Sequence, residues 1–147
     1  MEKVKVRWAS RDDAEILSKL NYEFNGVEVN PLEIEKSLTI SNELVALALI
    51  NDAPIGFACA QYFRSFCYQK LQGEITEMYI RDGARRLGLA TLLINFMEAE
   101  LSKKGATSIR VLTGATNEPA LITYEKANYK RQDEIILQKT IRNKYFE

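Results

Sequence analysis

The sequence predicts an α/β domain with a mixed sheet, and three observations carry that reading. Val4, Val6 and Trp8 alternate with Lys5 and Arg7, and further short apolar blocks follow, as half-buried or buried strands require. From Leu89 the apolar period changes to that of a helix, with Leu89, Leu92, Leu93, Phe96, Met97 and Leu101 on one face. Residues 72–112 read strand, loop, helix, strand, the pattern of a right-handed crossover between parallel strands. A chain of 147 residues is about one ordinary domain, spanning 1–147, and at that size it buries roughly 70% of its unfolded surface without covalent staples.

Each element has a local cause. After the first strand, Ser10, Asp12 and Asp13 supply helix-capping side chains, so a helix is expected from residue 11, with Ala14, Leu17, Leu20 and Phe24 on its stripe and Asn25-Gly26 as its stop. Pro31 opens a second, shorter helix carrying Leu32, Ile34 and Leu38. Residues 44–50 and 55–63 are strands joined through Asn51-Asp52-Ala53-Pro54, a turn of residues that tolerate turn dihedrals, and so form a hairpin. Residues 72–80 make the next strand, and the helix from Leu89 ends at Lys103-Lys104-Gly105. A strand at 108–112, a helix at 117–127 with Ala120, Leu121, Tyr124 and Ala127 on one stripe, and a last strand at 135–141 complete the order β, α, α, β, β, β, α, β, α, β.

Composition removes several function classes. Twenty basic residues balance 20 acidic ones, which argues against the uncompensated Lys and Arg that a sequence-independent grip on nucleic acid requires. There is no histidine, so near-neutral proton chemistry falls to Asp, Glu, Tyr, Lys, Cys or ordered water, and most zinc sites are excluded. Cys59 and Cys67 form no Cys-x-x-Cys pair and sit among apolar and aromatic neighbours, as in a reduced cytoplasmic protein. No stretch approaches the roughly 20 apolar residues of a membrane span, and the N-terminus lacks the apolar core of a signal peptide.

The chemistry points to Arg85-Arg86-Leu87-Gly88-Leu89-Ala90. A glycine-punctuated turn opening a helix exposes backbone N–H groups at the positive end of the helix dipole, and two arginines there add bidentate phosphate donors. The segment fits neither a nucleotide P-loop nor a dinucleotide fingerprint. Arg85-x-x-Gly88-x-Ala90 resembles the Arg/Gln-x-x-Gly-x-Gly/Ala motif of the GNAT superfamily of acyl-CoA-dependent N-acetyltransferases, and Met78-Tyr79-Ile80 before it looks like that family's strand-end Leu-Tyr-Val. Asn117 to Tyr129 resembles the family's Asn-x-x-Ala-x-x-x-Tyr-x-Lys-x-Gly-Phe, and Arg7 to Asp13 its opening Arg-x-Ala-x-x-x-Asp. Asn128 stands where that motif has glycine, a position that asparagine also fills in a left-handed cap. The run from Arg85 to Asn95, with Pro119-Ala120 and Tyr124 downstream, is also similar to aminoglycoside N-acetyltransferases.

The resemblance implies a central sheet of six to seven mostly antiparallel strands with about four helices. It implies acetyl-CoA as cosubstrate, its pyrophosphate on Arg85, Arg86, Leu87, Gly88, Leu89, Ala90 and Thr91, and its pantetheine arm paired with the main chain of Met78, Tyr79 and Ile80, where the fourth and fifth strands splay at a bulge. Asn117 would contact the arm, or serve as a helix N-cap, or both. Tyr124 looks like the family tyrosine that protonates the leaving thiolate, its alternative being an aromatic core residue. Glu77 stands where some members carry an acidic base; its alternative is an ion pair with Arg110, and Glu74, on the opposite strand face unless a bulge intervenes, or water could serve instead. A main-chain N–H near Met78 to Ile80 would meet the developing oxyanion. Members are often dimers, which leaves a homodimer as an open expectation.

Charge is unevenly spread. Residues 11–43 hold eight acids against three bases, while residues 101–147 hold nine bases against five acids. An acidic acceptor side would attract a cationic small-molecule or peptide amine, and a basic half suits CoA phosphates, unless these charges simply face water. A catalyst needs a leaving-group acid, whereas an acyl-CoA-binding sensor of the same fold needs only the phosphate turn. Neither reading calls for a metal, a membrane or nucleic acid.

Overall fold

The computed structural model describes residues 2–85 and 87–142. Its elements are β1 (Val4–Trp8), α1 (Ala14–Asn25), α2 (Pro31–Ile40), β2 (Leu44–Ile50), β3 (Ala53–Phe63), β4 (Leu71–Ile80), α3 (Leu89–Lys103), β5 (Ala106–Val111) and α4 (Glu118–Lys126), with short 3₁₀ turns at Arg11–Asp13 and Asp82–Ala84. The strands form one sheet in the order β1-β2-β3-β4-β5, every neighbour antiparallel except β4 and β5, which run parallel across the α3 crossover. Among the described residues five strands stand where six to seven were expected. The strand read at 135–141 does not form, since residues 134–142 carry neither helix nor strand and lie in solvent.

The hairpin turn is tighter than its sequence suggests. Asn51 (φ 49°) and Asp52 (φ 69°) both sit in the left-handed region and Ile50 pairs with Ala53, so two residues rather than four make the reversal. The first helix begins as a 3₁₀ turn because Asp13 folds back on its own start: its carboxylate accepts from the Ser10 N–H at 2.7 Å and takes both Arg7 guanidinium nitrogens at 2.8 and 2.9 Å. Gly26 (φ 72°) ends α1 as the Asn25-Gly26 pair predicts, and Asn128 (φ 73°) takes the left-handed conformation past α4.

Helices cover both faces of the sheet, which explains why β2 is one continuous apolar run rather than an alternation. Ala46, Ala48, Ala58 and Ala60 face α3, joined by Ile75, Leu89, Leu93, Ile94, Met97, Leu101 and Tyr124. Leu47, Leu49, Phe57 and Cys59 face α1, packing on Leu17 and Leu20. Small residues toward α3 let that helix lie close: a Cβ built on Gly73 would stand 2.9 Å from Leu101 Cδ1. Within α3, Ile94 is buried and Leu92 faces solvent, so the buried stripe runs through Leu89, Leu93, Ile94, Met97 and Leu101 and leaves Leu92 out. Phe96 meets Trp8 with ring centroids 4.6 Å apart.

Candidate functional site

A bulge on β4 organises the site. Glu77 pairs with Cys59 and Ile75 with Ala60, leaving Thr76 as the extra residue. The side chains of Ile75, Met78 and Ile80 therefore face α3, the side on which a Cβ at Gly73 would meet Leu101, and Glu77 and Tyr79 face α1. The same extra residue turns Glu74 to the face of Glu77, so the two carboxylates do not lie on opposite faces. Arg110 pairs with Glu74, not with Glu77. The Thr76 hydroxyl is buried with no hydrogen-bond partner among the described residues.

The sheet opens just beyond the bulge. β5 pairs with β4 only as far as Ile75 opposite Val111, so among the described residues 76–80 have no strand on that side. The Arg81 N–H donates to Ile55 O at 3.0 Å. Antiparallel pairing alternates, so Tyr79 and Glu77 also turn their main chain toward β3, while Met78 and Ile80 turn theirs to the open edge, where Arg85 takes the Ile80 carbonyl. The expected bulge and splay are both present, with the bulge at Thr76 rather than within Met78 to Ile80. Because β4 and β5 are parallel, α3 and α4 both begin at the end of the sheet where the strands part.

The start of α3 suits an anion. Gly88 is its N-cap in the left-handed conformation (φ 74°), no side chain caps the helix, and its first turn holds no acid. The Leu92 N–H donates to Gly88 O at 3.1 Å, which leaves the amides of Leu89, Ala90 and Thr91 with no helical acceptor. Leu87 and Gly88 lie exposed in the preceding turn, and Arg86 lies outside the described residues. Arg85 is already engaged: Nε donates to Ile80 O at 2.8 Å and Nη1 pairs with Asp82. It thereby ties the turn to the end of β4.

On the α3 side, Tyr124 is only 8% exposed, and burial pushes its phenol up to about 12. Its ring meets Tyr129 edge-on at 5.6 Å, and its hydroxyl has no hydrogen bond among the described residues. Tyr129, by contrast, donates to Glu98 at 2.7 Å. Asn117 caps α4, its side-chain oxygen accepting from the Ala120 N–H at 3.3 Å.

On the α1 side lies a cleft of about 250 Å³, floored by Leu17, Val45 and Phe57 and rimmed by Asn21, Glu33, Glu43 and Glu77. Among the described residues no Lys or Arg lines it. Glu77 is open to water along one side, yet burial in the cleft and the nearby Glu43 carboxylate raise its pKa above the ordinary glutamate value. Burial and the same two glutamates push the Cys59 thiol well up, so it stays protonated. Other acids of the 11–43 stretch serve structure: Asp13 holds Arg7, and Glu23 takes Arg81 through two 2.8 Å bonds with Tyr79 donating at 3.2 Å, which clamps α1 to the end of β4. That clamp and the role of Glu43 were not singled out from sequence. Neither sits in a motif, and strand register alone brings Glu43 to Glu77. A wider hollow of about 480 Å³ beside Glu15, Lys19, Tyr22 and Pro31 contains none of the candidate residues.

The site thus has two sides joined by a gap in the sheet, and Glu77 and Tyr124 lie on opposite faces of it. Known proteins share this arrangement of elements. The chain is 26% identical over 110 residues, 75% of its length and 74% of the relative's, to an acetyltransferase of Yersinia pestis (strain Pestoides F). Its fold superposes on a soil-metagenome aminoglycoside acetyltransferase in complex with sisomicin, with TM-score 0.81 at 15% identity over 95% of this chain and 97% of that one. An aminoglycoside N-acetyltransferase in complex with CoA gives TM-score 0.83 at 15% identity over 95% and 96%. The acetyltransferase (GNAT) family matches residues 13–129, and the chain belongs to that family of acyl-transferring enzymes.

Proposed function

We propose that the enzyme moves an acetyl group from acetyl-CoA to a cationic small-molecule amine by direct attack in a ternary complex. The observation that carries this reading is the acid-rimmed cleft at Glu77, set beside the strand gap whose far side holds an unbonded tyrosine hydroxyl. The features that would hold acetyl-CoA fit it. Free amides at Leu89, Ala90 and Thr91 suit its phosphates, the open main chain of Met78 and the Ile80 N–H suit the amides of its arm, and the Asn117 side chain stands at the start of α4 on the same end of the sheet.

Acetyl-CoA supplies the thioester acyl group, and the chain's residues have three tasks. Glu77, with its raised pKa, accepts a proton from the incoming ammonium directly or through one water, freeing the nitrogen lone pair. A main-chain N–H on the open edge beside the Thr76 bulge donates to the carbonyl oxygen as negative charge develops there. Tyr124, protonated at neutral pH, gives its proton to the departing sulfur. Glu33 and Glu43 attract a second positive charge on the acceptor. The sisomicin complex of a structural neighbour supports an amine of this class.

Release of free thiol from acetyl-CoA tests the proposal, using a polyamine, an aminoglycoside, an amino acid and a peptide N-terminus as acceptors. Turnover is expected with the multiply charged amines, and Glu77→Gln should lower it by roughly 10²-fold or more. Silence with every amine, while acetyl-CoA still raises the melting temperature, would overturn the catalytic reading and leave an acyl-CoA sensor. The reaction of a cytoplasmic enzyme is in keeping with two free cysteines, and no helix among the described residues is long and apolar enough to cross a membrane.

A further inference from the structure

Tyr124 must be held where its proton is used, and α4 alone holds it weakly. A helix of nine residues is marginal by itself. Tyr124 is buried, whereas its neighbours along α4 are exposed or half-buried, so the helix has a narrow grip on the body of the domain.

What fixes the ring comes from beyond the helix. Asn128 (φ 73°) turns the chain back, so that its N–H donates to Glu125 O at 3.0 Å and the Tyr129 N–H donates to Tyr124 O at 3.0 Å. Those two bonds make a Schellman cap, which sets the side chain following the left-handed residue against the one five positions before it. Here that pair is Tyr129 on Tyr124, the rings meeting edge-on at 5.6 Å.

The cap then reaches across to α3. The Tyr129 hydroxyl donates to Glu98 Oε2 at 2.7 Å, a part-buried, charge-assisted bond between residues 31 apart in the chain. Glu98 stands on α3 between the fully buried Met97 and Leu101, so it is a fixed point, on the same helix whose first amides suit phosphate. The motif that this segment resembles ends in phenylalanine, which has the ring and lacks the hydroxyl. The tie to Glu98 is therefore an addition. Burial and that carboxylate keep the Tyr129 phenol protonated, and its proton is already committed.

Taking Tyr124 as the acid of the proposed reaction, on which the inference rests, we infer that Tyr129 and Glu98 are positioning residues. Their bond locks the C-terminal cap of α4 onto α3 and so holds the Tyr124 hydroxyl at the gap in the sheet.

Tyr129→Phe removes the hydroxyl and keeps the ring, so the fold should stand. In the thiol-release assay kcat should fall by about tenfold, with the acceptor KM changed by less than about twofold, because the Glu77 cleft lies on the other face of the sheet. Slowing the step that Tyr124 performs should also raise the solvent deuterium isotope effect on kcat, which a general loosening of the fold would not do. Glu98→Gln keeps an oxygen acceptor and should stay within about threefold of the parent. Glu98→Ala should match Tyr129→Phe, and the double variant should be no slower than either single one. Hydrogen exchange on the ligand-free full chain supplies a readout independent of turnover: amides of 121–129 should exchange roughly fivefold faster in Tyr129→Phe, with those of β2 and β3 unchanged.

Tyr124→Phe separates the two readings. An unaltered kcat there would remove Tyr124 as the acid and the positioning role with it. A lowered kcat there, beside a loss under about twofold in Tyr129→Phe, would overturn the positioning role alone. Unchanged exchange over 121–129, or single losses that add in the double variant, would overturn it as well.

Discussion

The two halves of β4 have the same strand geometry and opposite fates. From Gln72 to Ile75 the strand is paired on both sides, and the space above it is so full that Gly73 leaves no room for a methyl group against Leu101. From Glu77 to Ile80 it is paired on one side, with the Met78 main chain and the Ile80 N–H turned to an open edge. One extra residue separates the halves. The lesson is that a sheet makes a site where it stops satisfying itself: the lower half supplies rigidity, and the upper half supplies unspent hydrogen bonds.

That contrast can be broken from either end. The largest effect belongs to the gap: Tyr124→Phe should keep the fold, since only an unbonded hydroxyl is lost, yet reduce kcat by about 10²- to 10⁴-fold in the thiol-release assay. A loss within twofold would remove Tyr124 as the proton donor. The paired half should answer in stability instead. Ile75→Ala empties a site that is 1% exposed and should cost about 2–5 kcal/mol, read as a fall in Tm of roughly 2–4 °C per kcal/mol. If Ile75→Ala cost less than 1 kcal/mol, the rigid half would not be rigid.

Smaller effects sharpen the picture. The Glu77 carboxyl titrates above its ordinary value of 4.5 because of burial first and Glu43 second. Its base form therefore accumulates only above that raised value, so kcat/KM should rise with pH along a limb lying higher than a free glutamate would set. The stability sign is opposite. The unfolded chain releases this proton first, so stability from the group is lost as pH rises between the two values. Glu43→Gln removes the second cause and should move the kinetic limb to lower pH; an unmoved limb would mean that Glu77 is not the base. The smallest effect is expected for Thr76→Val, which replaces a buried, partnerless hydroxyl by a methyl group and should leave stability unchanged or raise it by about 1 kcal/mol. A loss above 1 kcal/mol would reveal a partner for that hydroxyl.

Much of this was legible beforehand, for reasons that can be named. Gly88 opening α3, the Asn51-Asp52 reversal, the Gly26 stop and the left-handed Asn128 are local events, set by dihedral preference within a few residues. The pairing of Glu74 with Arg110 was not, because a one-residue bulge reverses which carboxylate faces where, and no local pattern marks Thr76 as the extra residue. Nor was the engagement of Arg85 with Ile80 O and Asp82, which depends on how the turn folds back on its strand.

The sequence by itself determined the order of elements, the phosphate-suited turn, the absence of imidazole from the proton chemistry and the membership of a family. Those rest on composition, period and spacing, which survive without coordinates. Only the tertiary structure decided that Glu33, Glu43 and Glu77 share a cleft, that Tyr124 lies across the sheet from Glu77, and that residues 135–141 find no strand in their own chain. Those facts depend on register and on contacts between residues far apart in the chain, and a side-chain period of two means that a single inserted residue is enough to change them.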